Sequence, residues 1–134
     1  MNAFADTYAL IAWLSERDPD HLRVKKYIAA YEGVMICTEW VLMELADAFS
    51  APPNRAIVTQ FLQEVRTVSS FEIVPYDLEV FDAGFDLFAN RPDKEWSLTD
   101  CISFAVMTDR GLTDALTADR HFEQAGFRAV FRTA

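Results

Sequence analysis

Compact apolar runs alternate with longer segments of helical period along this chain, and that alternation narrows the folds open to it more than any other feature. Val34-Met35-Ile36-Cys37, behind Gly33, is a continuous apolar run of the kind a buried strand needs. Phe71 to Val74, closed by Pro75, and Asp114 to Thr117 have the same character, and Asn2 to Ala5 forms a short apolar lead. A last strand is expected from Arg128 to Phe131, after Gly126. Between these runs, Tyr8 to Leu14 and His21 to Tyr31 read as helices, broken by Arg17-Asp18-Pro19-Asp20. Thr38 is suited to cap a helix from Glu39 to Phe49, which Pro52-Pro53 stops. Further helices are expected over Arg55 to Thr67, Asp77 to Ala89, Thr99 to Arg110 and Arg120 to Gln124. In the second of these, Leu78, Phe81, Phe85 and Phe88 recur at helical spacing. Strands alternating with helices imply an α/β three-layer sandwich, with a central parallel sheet of about five strands flanked by helices.

A chain of 134 residues has the length of one domain, expected to span 1–134. Half of its residues are hydrophobic and 11 are Phe, enough to build a core without staples. No stretch approaches the roughly 20 apolar residues of a membrane span, and the start Met1-Asn2-Ala3-Phe4 lacks the pattern of a signal peptide. Cys37 and Cys101 match no metal-ligand spacing and read as two buried thiols of a reducing compartment. A cytoplasmic protein with no membrane partner is expected. Lys and Arg number 12 against 21 Asp and Glu, for a net charge of −9. A surface that grips phosphates by charge alone is basic, so this balance opposes nucleic-acid binding in bulk.

Ligands of an open parallel sheet bind beyond the C-terminal ends of its strands, and acids collect there in this sequence. Asp6 follows the first strand and Asp119 follows the Asp114–Thr117 strand. Glu44 lies one and a half turns into the helix after the second strand, and Asp100 opens the helix that feeds the fourth. Four carboxylates from separated segments, converging at one sheet edge, would suit Mg²⁺ or Mn²⁺ and phosphodiester chemistry. Each acid also has a local explanation. Asp6 and Asp119 suit helix N-caps, Ser97-Leu98-Thr99-Asp100 resembles a capping box, and Glu44 lies in a polar arc with Glu39, Asp47 and Ser50. Phe104 and Met107 share the face of Asp100, which places that carboxylate on an apolar side in need of a partner.

Family resemblance distinguishes the two readings. Phe4-Ala5-Asp6-Thr7-Tyr8-Ala9-Leu10-Ile11-Ala12 resembles the start of a PIN domain. Thr38-Glu39-Trp40-Val41-Leu42-Met43-Glu44-Leu45 is similar to that family's second motif, Ser97-Leu98-Thr99-Asp100-Cys101-Ile102-Ser103-Phe104 to its third, and Leu116-Thr117-Ala118-Asp119-Arg120-His121-Phe122 with Gly126-Phe127 to its fourth. The resemblance covers nearly the whole chain in the family's order. It implies a five-stranded parallel sheet and Mg²⁺- or Mn²⁺-dependent cleavage of RNA. Asp6, Glu44, Asp100 and Asp119 match the acidic quartet, with Asp6, Asp100 and Asp119 as metal ligands and Thr7 and Thr117 as supporting hydroxyls. The short form resembles the VapC-like toxins, which implies a homodimer and a cognate antitoxin. The sequence departs from the family in its first strand, Asn2 to Ala5, which is weakly hydrophobic for a sheet centre, and in its acidity. Arg17, Arg23, Lys25, Lys26, Arg91, Lys94 and Arg120 are the cations available to meet phosphates.

Two other classes compete. A PIN-fold binding or scaffold module that keeps its acids without turnover fits the negative charge. A phosphohydrolase with an aspartyl nucleophile wants a second acid two residues after the first, where Asp6-Thr7-Tyr8 has a tyrosine. Cys or Ser nucleophilic catalysis lacks an elbow motif, and His21 and His121 have no evident partners in the sequence.

Overall fold

The computed structural model describes residues 1–132. Its elements are β1 (Asn2–Ala5), α1 (Thr7–Leu14), α2 (His21–Ala30), β2 (Val34–Thr38), α3 (Glu39–Ala48), α4 (Asn54–Glu64) with a 3-10 turn at Val65–Thr67, β3 (Phe71–Val74), α5 (Leu78–Asn90), α6 (Leu98–Arg110), β4 (Asp114–Leu116), α7 (Arg120–Gln124) and β5 (Arg128–Ala129). The five strands form one sheet in the order β3-β2-β1-β4-β5, parallel throughout. Among the described residues no helix is long and apolar enough to cross a membrane.

The strand order reverses at β1. The chain steps outward from β1 through β2 to β3, then crosses back to β4 and out to β5. Right-handed crossovers made in opposite directions place their helices on opposite faces. Helix contacts divide accordingly, with α1 to α4 touching one another and α5, α6 and α7 forming a second set. The C-terminal ends of β1 and β4 therefore flank the switch point, where an open α/β sheet leaves a crevice.

The weakly hydrophobic first strand is the sheet's centre, with Ala3, Phe4 and Ala5 all fully buried. Alternation along the strand explains how it can be. Phe4 faces the α5–α7 side and meets Phe122, which in turn packs edge-on against Phe104. Ala3 and Ala5 point to the other face, where small side chains let helices lie close to the sheet. The last strand is shorter than its sequence implies. Val130 and Phe131 still donate to Ala115 and Thr117 beside β4, but Arg132 bonds back to Ala129 and turns the chain out of the ladder. Trp13, Tyr27 and Tyr31 are partly buried and pack against the core. Trp13 lies between Phe71 and Phe61, with both ring centroids 5.7 Å away.

Candidate active site

Asp6 leaves the end of β1 at the N-cap position of α1, with extended backbone (φ −80°, ψ 162°), but its side chain makes no capping bond. Its Oδ2 instead accepts a hydrogen bond of 2.8 Å from the Thr117 hydroxyl across the switch point. The residue is only 6 % exposed. Burial pushes its carboxyl up to about 7. The Thr117 hydrogen bond opposes that rise, and the charges of Asp100 and Glu44 add to it.

Thr117 stands just past β4, where a tight turn from its N–H to the Ala115 carbonyl ends the ladder. Its Oγ1 also accepts from the Asp119 N–H at 3.1 Å. Asp119 does cap its helix, accepting from His121 N–H at 2.9 Å, so the capping and site readings hold for the same side chain. At α6 the capping box is half made. Ser97 Oγ accepts from the Asp100 N–H at 3.0 Å, but among the described residues no return bond from Asp100 to Ser97 is formed. Among the described residues the Asp100 carboxylate makes no capping bond, and it lies on the side shared with the buried Phe104 and Met107. Burial raises its pKa, reinforced by the neighbouring Asp119 charge. Glu44 is exposed, on the outer side of α3 from Val41, Leu42 and Leu45.

All four acids line one open groove of about 550 Å³, together with Thr7, Tyr8, Ser97 and His121. His121 is the residue that sequence reasoning missed. Its Nδ1 lies 3.5 Å from Asp100 Oδ2 and 3.5 Å from Asp119 Oδ1. One partner is two residues away and the other arrives from a different helix, so only the fold reveals the pair. The Asp119-x-His121 spacing at a helix start was the one available signal. His21 has a different place, with its Nδ1 2.7 Å from the Ala12 carbonyl.

None of the seven cations singled out in the sequence lines the groove. Arg91 is paired with Asp93 at 2.9 Å, Arg120 lies 3.9 Å from Glu95, and Arg23 donates to the Phe131 carbonyl. Cys37 and Cys101 are free and buried, and burial holds the Cys37 thiol up at about 12, so neither is a ready nucleophile.

The donors suit a divalent ion. Asp100, Asp119 and His121 each offer a ligand atom within 4.8 Å of the others, while Asp6 and Glu44 line the groove outside that tight group. Hard carboxylate oxygens favour Mg²⁺ or Mn²⁺, and a cation would relieve the repulsion among Asp6, Asp100 and Asp119. Thr7 Oγ1, buried at the groove wall, finds no hydrogen-bond partner among the described residues.

The family model for the PIN domain matches residues 3–128. The 23S rRNA-specific endonuclease VapC20 of Mycobacterium tuberculosis, in strains CDC 1551 and H37Rv alike, is 30 % identical over 128 residues, covering 95 % of this chain and 96 % of its own length. The crystal structure of the M. tuberculosis VapC20, a sarcin-ricin loop cleaving toxin, superposes with a TM-score of 0.87 at 23 % identity, covering 96 % of this chain and 98 % of its own. FitAcB from Neisseria gonorrhoeae superposes at 0.66 with 17 % identity, covering 96 % of each chain. A toxin–antitoxin complex from Klebsiella pneumoniae gives 0.59 at 21 % identity, covering 88 % of this chain and 87 % of its own. At these identities the superpositions speak to fold.

Proposed function

This chain belongs to the PIN-domain family, and from that premise we propose that it is a divalent-metal-dependent endoribonuclease, the toxin of a toxin–antitoxin pair. The observation that carries the reading is the convergence of Asp6, Glu44, Asp100 and Asp119, from four separate segments, on one groove at the sheet's switch point. A relative that shares 30 % identity along nearly the whole chain is an rRNA endonuclease.

In this reading Asp6, Asp100 and Asp119 hold Mg²⁺ or Mn²⁺. When bound, such an ion polarises the phosphate and lowers the pKa of water. The chain's own groups do the positioning. Thr117 fixes the Asp6 carboxylate through its hydroxyl and holds Asp119 through the backbone. Ser97 anchors the first turn of α6 by accepting from the Asp100 N–H, and the Asp100 side chain lines the groove. Glu44, on the exposed rim, orients the attacking water and accepts its proton at a carboxylate oxygen. Thr7 Oγ1 supplies a second hydroxyl beside Asp6. The further members of the proposal are a single domain, a homodimer, a cytoplasmic location and a cognate antitoxin that covers the acidic groove.

The test is cleavage of a mixed end-labelled RNA pool with Mn²⁺ or Mg²⁺, against EDTA and Asp100→Asn. Cutting that needs the metal and is lost in the folded variant supports the site and the activity together. Undiminished cutting by Asp100→Asn would sink it. A second reading, a PIN-fold binding or scaffold module without turnover, draws on the net charge of −9 and the absence of Lys or Arg from the groove wall. It predicts no RNA cleavage and no rise in melting temperature with Mn²⁺.

A further inference from the structure

We propose that His121 is itself a ligand of the cation, joining Asp100 and Asp119 through Nδ1, and that its imidazole makes the site favour Mn²⁺ over Mg²⁺. The inference rests on the reading of the groove as a divalent-cation site. Nδ1 stands at the same distance, 3.5 Å, from Asp100 Oδ2 and from Asp119 Oδ1. That is too long for a good hydrogen bond to either, and the equality aims the nitrogen between the two carboxylates instead of committing it to one. The three ligand atoms lie within 4.8 Å of one another, close enough to share an ion after small side-chain adjustments.

The position of the ring is set by the fold. The His121 backbone N–H is held by the Asp119 carboxylate at 2.9 Å, and the next residue, Phe122, is fully buried against Phe4 and Phe104. The turn that carries the imidazole is therefore anchored at the groove. An independent sign of a polar guest is Thr7 Oγ1, which is buried in the groove wall and unpartnered among the described residues. The metal preference follows from ligand chemistry. Mg²⁺ takes oxygen donors and keeps its waters, whereas Mn²⁺ shares its liking for carboxylates but, as a transition ion, also accepts an imidazole nitrogen, if less strongly than the later metals. A ligand set of carboxylates alone would discriminate much less.

The experiment uses the protein without RNA. Nitrogen-14 modulation in the pulsed electron-spin-echo spectrum of bound Mn²⁺ reports direct imidazole ligation, and calorimetric titration gives the Mn²⁺ and Mg²⁺ affinities. Wild type, His121→Ala, His121→Asp and Asp100→Asn are compared, with folding checked by circular dichroism. The expected result is nitrogen modulation in wild type that both His121 variants lack. The ratio of Mn²⁺ to Mg²⁺ affinity should fall by about tenfold or more in His121→Ala, and His121→Asp should keep Mg²⁺ binding because it restores an oxygen donor. Wild type without nitrogen modulation, or an unchanged ratio in His121→Ala, overturns the assignment even if Asp100→Asn loses both metals. Equal Mn²⁺ binding by wild type and Asp100→Asn overturns it too, and with it the cation-site reading.

Discussion

One hydroxyl, that of Thr117, supports two of the four acids. It donates to Asp6 Oδ2 at 2.8 Å and accepts from the Asp119 N–H at 3.1 Å while fully buried. Thr117→Val keeps the shape but leaves the buried Asp6 carboxylate and the half-buried Asp119 N–H without that partner, a loss of about 1–3 kcal/mol. Urea denaturation should show this, Thr117→Ser should recover most of it, and an unchanged midpoint in Thr117→Val would contradict the role. Residues of this sort were partly legible in the sequence. Asp6, Asp100 and Asp119 could be located because each adjoins an element boundary that local patterns mark. What the sequence could not separate was a capping carboxylate from a site carboxylate. That depends on where the side chain turns, and the answer differs for each: Asp6 does not cap, Asp119 does, and Asp100 completes only half a box. His121 was illegible for a related reason, since one of its two partners comes from another helix.

At the scale of elements, hydrophobic period located helix α5 but not its inward face. Leu78, Phe85 and Phe88, spaced as an apolar stripe, are 73 %, 47 % and 44 % exposed, and the residue the helix buries is Gly84. A Cβ at Gly84 would stand 2.7 Å from Ile102 Cα and 2.9 Å from Ile102 N, so α5 and α6 come together backbone to backbone at this point. Alanine there gains up to about 1 kcal/mol in helix propensity. The nearest atoms include backbone, which cannot rotate aside, and overpacking of this kind costs about 1–3 kcal/mol. Gly84→Ala is therefore expected to lower thermal stability. Because α6 carries Asp100 two residues before Ile102, the variant should also weaken Mn²⁺ binding. A Gly84→Ala protein as stable as wild type would mean that the helices part without cost. The strands were legible by contrast, because a buried parallel sheet needs continuous apolar runs. The exceptions are instructive: β1 holds the centre with small Ala residues, and β5 gives way to a turn after Ala129.

For the whole molecule, the charge that counts against nucleic-acid binding also has a thermodynamic consequence within the fold. Asp6 folds with its carboxyl pushed from 3.8 up to about 7, chiefly by burial, and the pKa of Asp100 moves the same way. A carboxyl whose folded pKa exceeds its unfolded one binds more protons in the native state. Its contribution to stability is complete below about pH 4 and is lost as pH rises through about 7. A shift of this size corresponds to a loss of up to about 4 kcal/mol. The metal-free protein should accordingly melt at a lower temperature at pH 8 than at pH 5, opposite to the trend that salt-bridged acids produce. Asp6→Asn removes the charge but keeps an oxygen to accept from Thr117, so it should flatten the profile and raise the pH 8 melting temperature in EDTA. Divalent cation competes with protons for the same carboxylates, so Mn²⁺ should stabilise wild type far more at pH 8 than at pH 5, and Asp6→Asn less than wild type. Thermal melts at the two pH values, with EDTA and with Mn²⁺, test the whole scheme. If Asp6→Asn kept the wild-type slope, the acid groove would not be where this molecule stores its electrostatic strain.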